Sequence, residues 1–394
     1  MSFKPELIVV VDLGKSLIKA IYMIPAIGTV KVLFLEPGIA ELSAVEVKGM
    51  QRTASAAPED DAWLVLPDGQ GLALGFLAQT RFASRCDTKE AKYKIVSGTA
   101  RYLAAIGAIA WKENLNDYRG FASKGTQTDA KYLPIHATLL LPYVEISNAS
   151  QLRAELSAGP IRFMFRGQDY TLLTGSDYFK LSILPEGAGQ LTLRQGQLSE
   201  QEFGRRNILL LIMGQYNITA MLYQRGQCAK VESPAHGFHD LVNDVLNRTS
   251  LDASAIPNTV LVEAIYKGRS NPDQMRSLLI GRVEKEEHLN TLAAEIGRVV
   301  TEAFDAYWKS TANWLKTMLG PDLATLDEVL IGGGATTAFK EELEALFAGT
   351  KVIWGGGIKR EISQTFGLKP FDPMVSRLVD AYGVFKQVRQ IYQV

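Results

Sequence analysis

An acid, a small residue and a base at positions 12, 14 and 19 are the side chains in this sequence best suited to holding a phosphate. They lie in Asp12-Leu13-Gly14-Lys15-Ser16-Leu17-Ile18-Lys19-Ala20, between the apolar runs Leu7–Val11 and Ile18–Met23. That pattern predicts a strand, a tight polar turn and a second strand. Gly14 has no side chain to keep phosphate oxygens away from the N–H groups of the turn, which includes Lys15 and Ser16. Asp12, at the strand end, suits hydrated Mg²⁺, a cation that prefers oxygen ligands and keeps much of its water. Lys19 can reach back from the second strand as a point charge on phosphate, and Lys15 adds a second cation. Taken alone, D-x-G-x-x-x-x-K also describes a surface hairpin with two solvated lysines.

The stretch returns 200 positions later as Ile212-Met213-Gly214-Gln215-Tyr216-Asn217-Ile218-Thr219-Ala220, where Gly14/Gly214, Ile18/Ile218 and Ala20/Ala220 coincide. It again follows an apolar run, Ile208–Leu211. Its charged positions have gone, and no Asp or Glu occurs between Asn207 and Val231. Gly214, Gln215 and Asn217 can still donate hydrogen bonds to phosphate. Three further pieces strengthen the reading. Ile331-Gly332-Gly333-Gly334-Ala335 follows an apolar strand and precedes a helix, a loop that lets a nucleoside lie against bare backbone. Pro185-Glu186-Gly187 lies between the two halves, where Glu186 could orient an attacking water. Asp380-Ala381-Tyr382-Gly383 places small residues on the last helix, which permits close packing.

The elements that must position these residues follow from periodicity. Further strands are expected at Val30–Phe34, Trp63–Leu66, Leu72–Leu74, Ile135–Leu141 and Val329–Ile331, with a hairpin of Ile161–Phe165 and Gln168–Leu173. Ala40–Asp61 has little periodicity and reads as strand ends and exposed loop. Helices are expected over Lys92–Trp111, over about Glu286–Leu319 and over about Met374–Ile391. Another follows the glycines, with Thr337 as its N-cap and Glu341 and Glu342 near its start. Strand-rich starts followed by helices in both halves indicate an α/β architecture of two related domains.

The order of these pieces resembles the actin-like ATPase superfamily, and within it the ParM/StbA group of plasmid-segregation proteins. Lys92-Tyr93-Lys94 with Leu103-Ala104-Ala105-Ile106-Gly107 resembles the group's first long helix. Ser233-Pro234-Ala235-His236-Gly237-Phe238 resembles the loop after its second hairpin, and Tyr307-Trp308 with Trp314-Leu315 the helix before its glycine loop. The resemblance implies an actin-like fold, two related RNase H-like domains around a nucleotide cleft. Domain I would comprise 1–190 and 372–394, and domain II 191–371. It further implies ATP or GTP with Mg²⁺. Asp12, Gly14, Lys15, Ser16 and Lys19 would lie at the phosphates and Asp12 at the metal. Gly214, Gln215 and Asn217 would form the second phosphate turn, Gly332, Gly333 and Gly334 would face the nucleoside, and Glu186 would position water. It implies a cytoplasmic protein that associates with itself head-to-tail into filaments, with room for a DNA-binding adaptor protein. The family's second turn normally reads Asp-x-Gly, and Ile212 replaces that Asp. Positioned polar groups of this kind are typically worth ~10²–10³ in rate, so slow hydrolysis is expected. A non-polymerising nucleotide-sensing scaffold and a small-molecule kinase on the same fold are the alternatives.

Composition narrows the field further. The 394 residues suit two domains, and 47% hydrophobic content can fill both cores. Lys+Arg and Asp+Glu are each 42, which argues against a globally basic nucleic-acid binder. The longest clean apolar run, Ile208–Met213, falls far short of the ~20 residues that a bilayer requires. Met1–Glu6 leads straight into a strand, so no signal peptide is expected. With 11 residues after Gly383 (394 − 383), no appended peptide-binding domain is expected either. Cys86 and Cys228 read as reduced thiols. His236 and His239 read as polar loop residues, not zinc ligands. Arg81, Arg85, Lys89, Lys92, Lys94 and Arg101, with Tyr93 and Tyr102 among them, read as a solvated helix face.

Overall fold

A strand, a four-residue turn and an antiparallel strand open each half of the chain. In a computed structural model these are β1 (Leu7–Leu13) with β2 (Ile18–Met23), and β11 (Ile208–Met213) with β12 (Ile218–Gln224). The structure describes residues 3–50, 56–86, 94–115, 133–251, 256, 258–271, 273–281, 283–369 and 372–394. Each hairpin nucleates a five-stranded sheet of the same plan. In the first, β3 (Val30–Leu35) continues the antiparallel side, while β7 (Ile135–Leu141) and β10 (Phe179–Pro185) extend the other side parallel to β1. In the second, β13 (Gln227–Glu232) lies beyond β12, and β14 (Glu328–Gly332) and β15 (Lys351–Trp354) run parallel to β11. The sequence repeat is thus a repeat of topology.

β1 reads Leu-Ile-Val-Val-Val-Asp-Leu and is buried along its whole length, as a strand covered on both faces must be. Alternation divides its side chains. Leu7, Val9, Val11 and Leu13 join one core with the helix Gly98–Lys112. Ile8 and Val10 join another with the closing helix Pro373–Tyr392. In the second sheet Leu209, Leu211 and Met213 pack in one core with the 34-residue helix Glu286–Leu319, through Leu289, Ile296, Val300 and Phe304 among others.

Contacts divide the chain into one unit of 1–197 with 355–394 and another of 198–354. The sequence reading sets those borders at 190 and 371. The helices Ala188–Gln197 and Lys359–Phe366 therefore fall in the first unit. That unit also carries a third sheet, β4 (Ile39–Leu42), β6 (Gly71–Leu74), β5 (Ala62–Val65), β8 (Ile161–Phe165) and β9 (Gln168–Leu172) in that spatial order.

Two local expectations need correction. Ala40–Asp61 is not simply strand ends and exposed loop. It contains β4 and the helix Ala44–Met50, and Leu42 and Met50 are buried with Trp63, Leu77 and Phe82. β4 is only four residues long and finds its partner some thirty residues later, so little periodicity marks it. Thr337 does not cap a helix. It lies inside the 3₁₀ turn Gly334–Phe339 and donates its hydroxyl to the Gly334 carbonyl at 3.3 Å, while the α-helix starts at Lys340.

Candidate functional site

In parallel sheets, ligands gather outside the carboxyl ends of the strands. β1, β7 and β10 are parallel, so their ends bring together residues far apart in sequence. Asp12 comes from the end of β1, Glu145 from the 3₁₀ turn Tyr143–Asn148 after β7, and Glu186 directly follows β10. The Glu186 N–H donates to the Leu141 carbonyl at 2.7 Å, continuing the parallel ladder one residue beyond the strand.

Asp12 faces Lys19 across the β1–β2 ladder, and Lys19 Nζ stands 2.5 Å from Asp12 Oδ2. The carboxylate's other oxygen, Oδ1, receives Lys94 Nζ at 3.4 Å. Lys94 also contacts Glu186 Oε1 directly. Burial alone would raise the Asp12 carboxyl pKa, but the Lys19 and Lys94 ammoniums reverse this and hold it below the ordinary carboxylate range. For Lys94, burial works against the charge, and Glu186 and Asp12 overcome it so that its pKa is raised. Lys94 is only 6% exposed and Arg101 3%, so these members of the basic stretch do not form a solvated face. Lys89 and Lys92 lie outside the described residues.

The turn between β1 and β2 is narrow. A Cβ on Gly14 would come within 2.2 Å of the Leu17 carbonyl oxygen, so only glycine fits. Arg377 of the closing helix donates to Ser16 Oγ at 2.8 Å, and its carbonyl accepts from Lys19 Nζ at 3.3 Å. Burial lowers the Lys15 pKa, with Lys94 and Arg101 adding repulsion, against the attraction of Glu145 and Glu186. The same helix holds the Glu186 segment. Asp380 accepts from the N–H groups of Gly187 (2.7 Å) and Gly189 (2.8 Å). Burial, together with the negative charges of Asp12 and Glu186, pushes the Asp380 carboxyl up to about 7 despite those donors. Lys94, Glu145, Arg377 and Asp380 were not assigned to the site from sequence. Of these, only the small-residue run around Asp380 carried a signal, and that signal was for packing.

In the second unit Gly332 pairs with Ile212 across the β14–β11 ladder. Gly333 has φ +95°, and a Cβ there would meet the Met213 carbonyl oxygen at 2.2 Å. The glycine loop and the second turn therefore abut. Ile212 faces Thr219 as Asp12 faces Lys19, an uncharged pairing in place of an ion pair. Thr219 is bonded to Ser233 at 2.7 Å, and Asn217 Nδ2 donates to both hydroxyls at 3.2 Å. The Gly214 carbonyl accepts from Phe238 N, and the Gln215 carbonyl from His239 N. His236 bonds Asp240 and Thr311 and stacks on Tyr307. The Gln215 side-chain nitrogen is buried with no hydrogen-bond partner.

No protein-family model matches the sequence, and no curated protein does. Solved structures do match over nearly the whole length. A ParM from a 15-stranded filament of Clostridium botulinum aligns with a TM-score of 0.60 at 14% identity, covering 98% of this chain and 100% of the other. The archaeal actin homolog Ta0583 aligns at 0.60 and 12%, covering 98% and 99%. Alp12, solved as a filament, aligns at 0.55 and 17%, covering 99% and 100%. This is the actin-like fold. The two sheets of one plan, each led by a hairpin with a narrow turn, are the part of that fold most visible in the sequence.

Within this actin-like chain the first turn fits an anion better than it fits a directly bound metal. Among the described residues no three His, Cys, Asp or Glu side chains cluster as metal ligands. A directly bound divalent ion would have to displace ammonium groups from the carboxylate oxygens it uses. Both Asp12 oxygens already face ammonium groups. No described helix is long and apolar enough to cross a membrane.

Proposed function

We propose that this chain is a nucleotide-dependent, filament-forming protein of the ParM type, acting in the cytoplasm in DNA or plasmid segregation or in a cytoskeleton derived from it. The observation that carries the reading is the cluster of Asp12, Lys19, Lys94 and Glu186 at the carboxyl edge of the first sheet. A surface hairpin with solvated lysines would leave those groups in water. Instead Asp12 and Lys19 are each 8% exposed, beside a turn too tight for any side chain at position 14. Buried charge of this kind is expensive unless it serves a ligand or is fully paired.

In this reading ATP or GTP, carrying Mg²⁺, places its phosphates at Gly14, Lys15 and Ser16, with Lys19 as a point charge. In the second unit Gly332, Gly333 and Gly334 form a loop of the kind a nucleoside lies against, and Gly214, Gln215 and Asn217 form the second phosphate turn, whose uncommitted donor is the Gln215 side-chain nitrogen. The partnerless Gln215 amide supports that last assignment. Glu186 orients the attacking water, and the Asp380 carboxylate steadies its loop through two N–H bonds. Hydrolysis is slow, because Ile212 and Thr219 supply no carboxylate to the second turn. An ADP complex of Ta0583 is among the similar structures, at 12% identity, and lends support to nucleotide binding.

Filament formation is supported by the filament structures of ParM and Alp12 that share this fold. Head-to-tail contacts whose rotation does not close into a ring propagate as a filament. A DNA-binding adaptor would couple such a filament to its cargo. The test is sedimentation with electron microscopy, with and without a slowly hydrolysed ATP or GTP analogue. Filaments that pellet only with nucleotide uphold the proposal. Monomers that bind nucleotide under every condition would replace it with the sensing scaffold.

A further inference from the structure

The ammonium of Lys94 holds a position that a metal would otherwise take. It reaches Asp12 Oδ1 and Glu186 Oε1 together, bridging carboxylates that lie 174 positions apart (186 − 12). A divalent ion neutralising the same two groups would have to sit between the same two oxygens. Lys94 does not reach there by chance of a flexible chain. It begins the 3₁₀ turn Lys94–Ser97, and the next residue, Ile95, donates its N–H to Glu145 Oε2 at 2.9 Å. Glu145 is itself buried. The turn is thereby fastened to the end of β7, and the lysine stem is directed toward β1 and β10.

Cations already meet these carboxylates. Lys19 and Lys94 pair with Asp12, Lys94 also with Glu186, Lys15 lies close enough to feel Glu145 and Glu186, and the Arg377 guanidinium acts on Asp12. A dication added to this set would face three ammonium groups, and like charges at such distances repel. An ammonium also has three donors and no acceptor. Two are used on Asp12 and Glu186, which leaves one for a phosphate oxygen.

We propose that Lys94 is the resident cation of this site, occupying the place of a protein-bound divalent metal between Asp12 and Glu186, so that the site accepts a nucleoside polyphosphate whether or not the nucleotide carries Mg²⁺. The inference rests on the nucleotide reading for its ligand, but its cation part can be tested without nucleotide. The first arm is Mn²⁺ binding to the nucleotide-free protein, followed by electron paramagnetic resonance. Wild type binds no Mn²⁺ at the site, whereas Lys94→Met exposes the two carboxylates and acquires one Mn²⁺ that raises its unfolding midpoint. The second arm is titration with a fluorescent ATP or GTP analogue in Mg²⁺ and in EDTA. Wild-type affinity changes by less than about threefold between the two, while Lys94→Met loses at least about 30-fold in EDTA, the scale of a buried charge left without its partner. Mg²⁺ restores the variant, and Lys94→Arg behaves as wild type.

Wild type that binds Mn²⁺ through Asp12, with the signal lost in Asp12→Asn, overturns the proposal. So does wild-type nucleotide binding that collapses in EDTA, or a Lys94→Met protein indistinguishable from wild type. If Lys94→Met does not fold, the two wild-type measurements still decide. If no nucleotide binds under any condition, the nucleotide reading fails, and the Mn²⁺ arm alone upholds or removes Lys94 as the resident cation.

Discussion

Acid should loosen the closing helix through one histidine. His136 lies in β7, is 3% exposed, and uses both ring nitrogens. Nδ1 is 2.9 Å from the Tyr392 hydroxyl, and Nε2 is 3.3 Å from Thr138 Oγ1. Either neutral tautomer satisfies this arrangement, since each partner is a hydroxyl that can donate or accept. A second ring proton would find no acceptor carboxylate, and Lys180 stands opposite in the β10 ladder. Burial and, after it, the Lys180 ammonium push the His136 pKa down to about 4. Unfolded, the same group titrates near 6.5. Below that pH the unfolded chain takes up a proton that the folded chain refuses, so stability falls as pH falls. At 1.36 kcal/mol per unit, the loss between pH 7 and pH 5 is about 2 kcal/mol, rising to about 3 kcal/mol at pH 4.

The consequence reaches the site because Tyr392 ends the helix that also carries Arg377 and Asp380. Hydrogen exchange of β7 and of residues 373–392, read between pH 7 and pH 5 in wild type and in His136→Gln, measures it. Glutamine keeps a donor and an acceptor but cannot titrate. Its own cost at pH 7 cancels when each protein is compared with itself. The acid loss in these segments should be about 2 kcal/mol smaller in the variant. Asp12 and other paired carboxylates also lose stability in acid, but equally in both proteins. Parallel pH curves for the two would refute the assignment of a buried neutral imidazole.

Other perturbations test the site itself. Ile212→Asp gives the second turn its missing carboxylate and should raise the rate of phosphate release by ~10². An unchanged rate would mean that the second turn does not limit hydrolysis. Gly189→Ala should destabilise the first unit by about 3 kcal/mol or more, seen as a lower urea midpoint. Its Cβ would lie 1.9 Å from the Asp380 carbonyl oxygen, part of a helix backbone that cannot retreat. A midpoint within error of wild type would show that the two helices can separate freely. Ser16→Ala removes the hydroxyl that receives Arg377 and should weaken nucleotide binding by about fivefold, near 1 kcal/mol. A fluorescent-nucleotide titration with no change would make that contact irrelevant to the ligand.

The hairpins, the 34-residue helix and the closing helix are legible in the sequence because their signals are local. An apolar run broken by Asp12 and Gly14 predicts a strand and a turn whatever surrounds it. Leu289, Leu292, Ile296, Val299 and Ala303 keep a helical period within a single element. The duplication is legible for the same reason, since Gly14 and Gly214 solve one steric problem twice. Short elements with distant partners are not, as β4 and the helix after it illustrate. Lys94 is the sharper case. In sequence it stands in a run of basic residues and reads as solvated. In the folded chain it is a buried cation of the site, because its partners are residues 12 and 186. Nothing within ten positions of Lys94 carries that information. Local chain chemistry therefore settled which segments are strands, turns and helices. Which charges meet was decided only when three parallel strands brought their ends to one edge, since an ion pair depends on distance in space and not on separation along the chain.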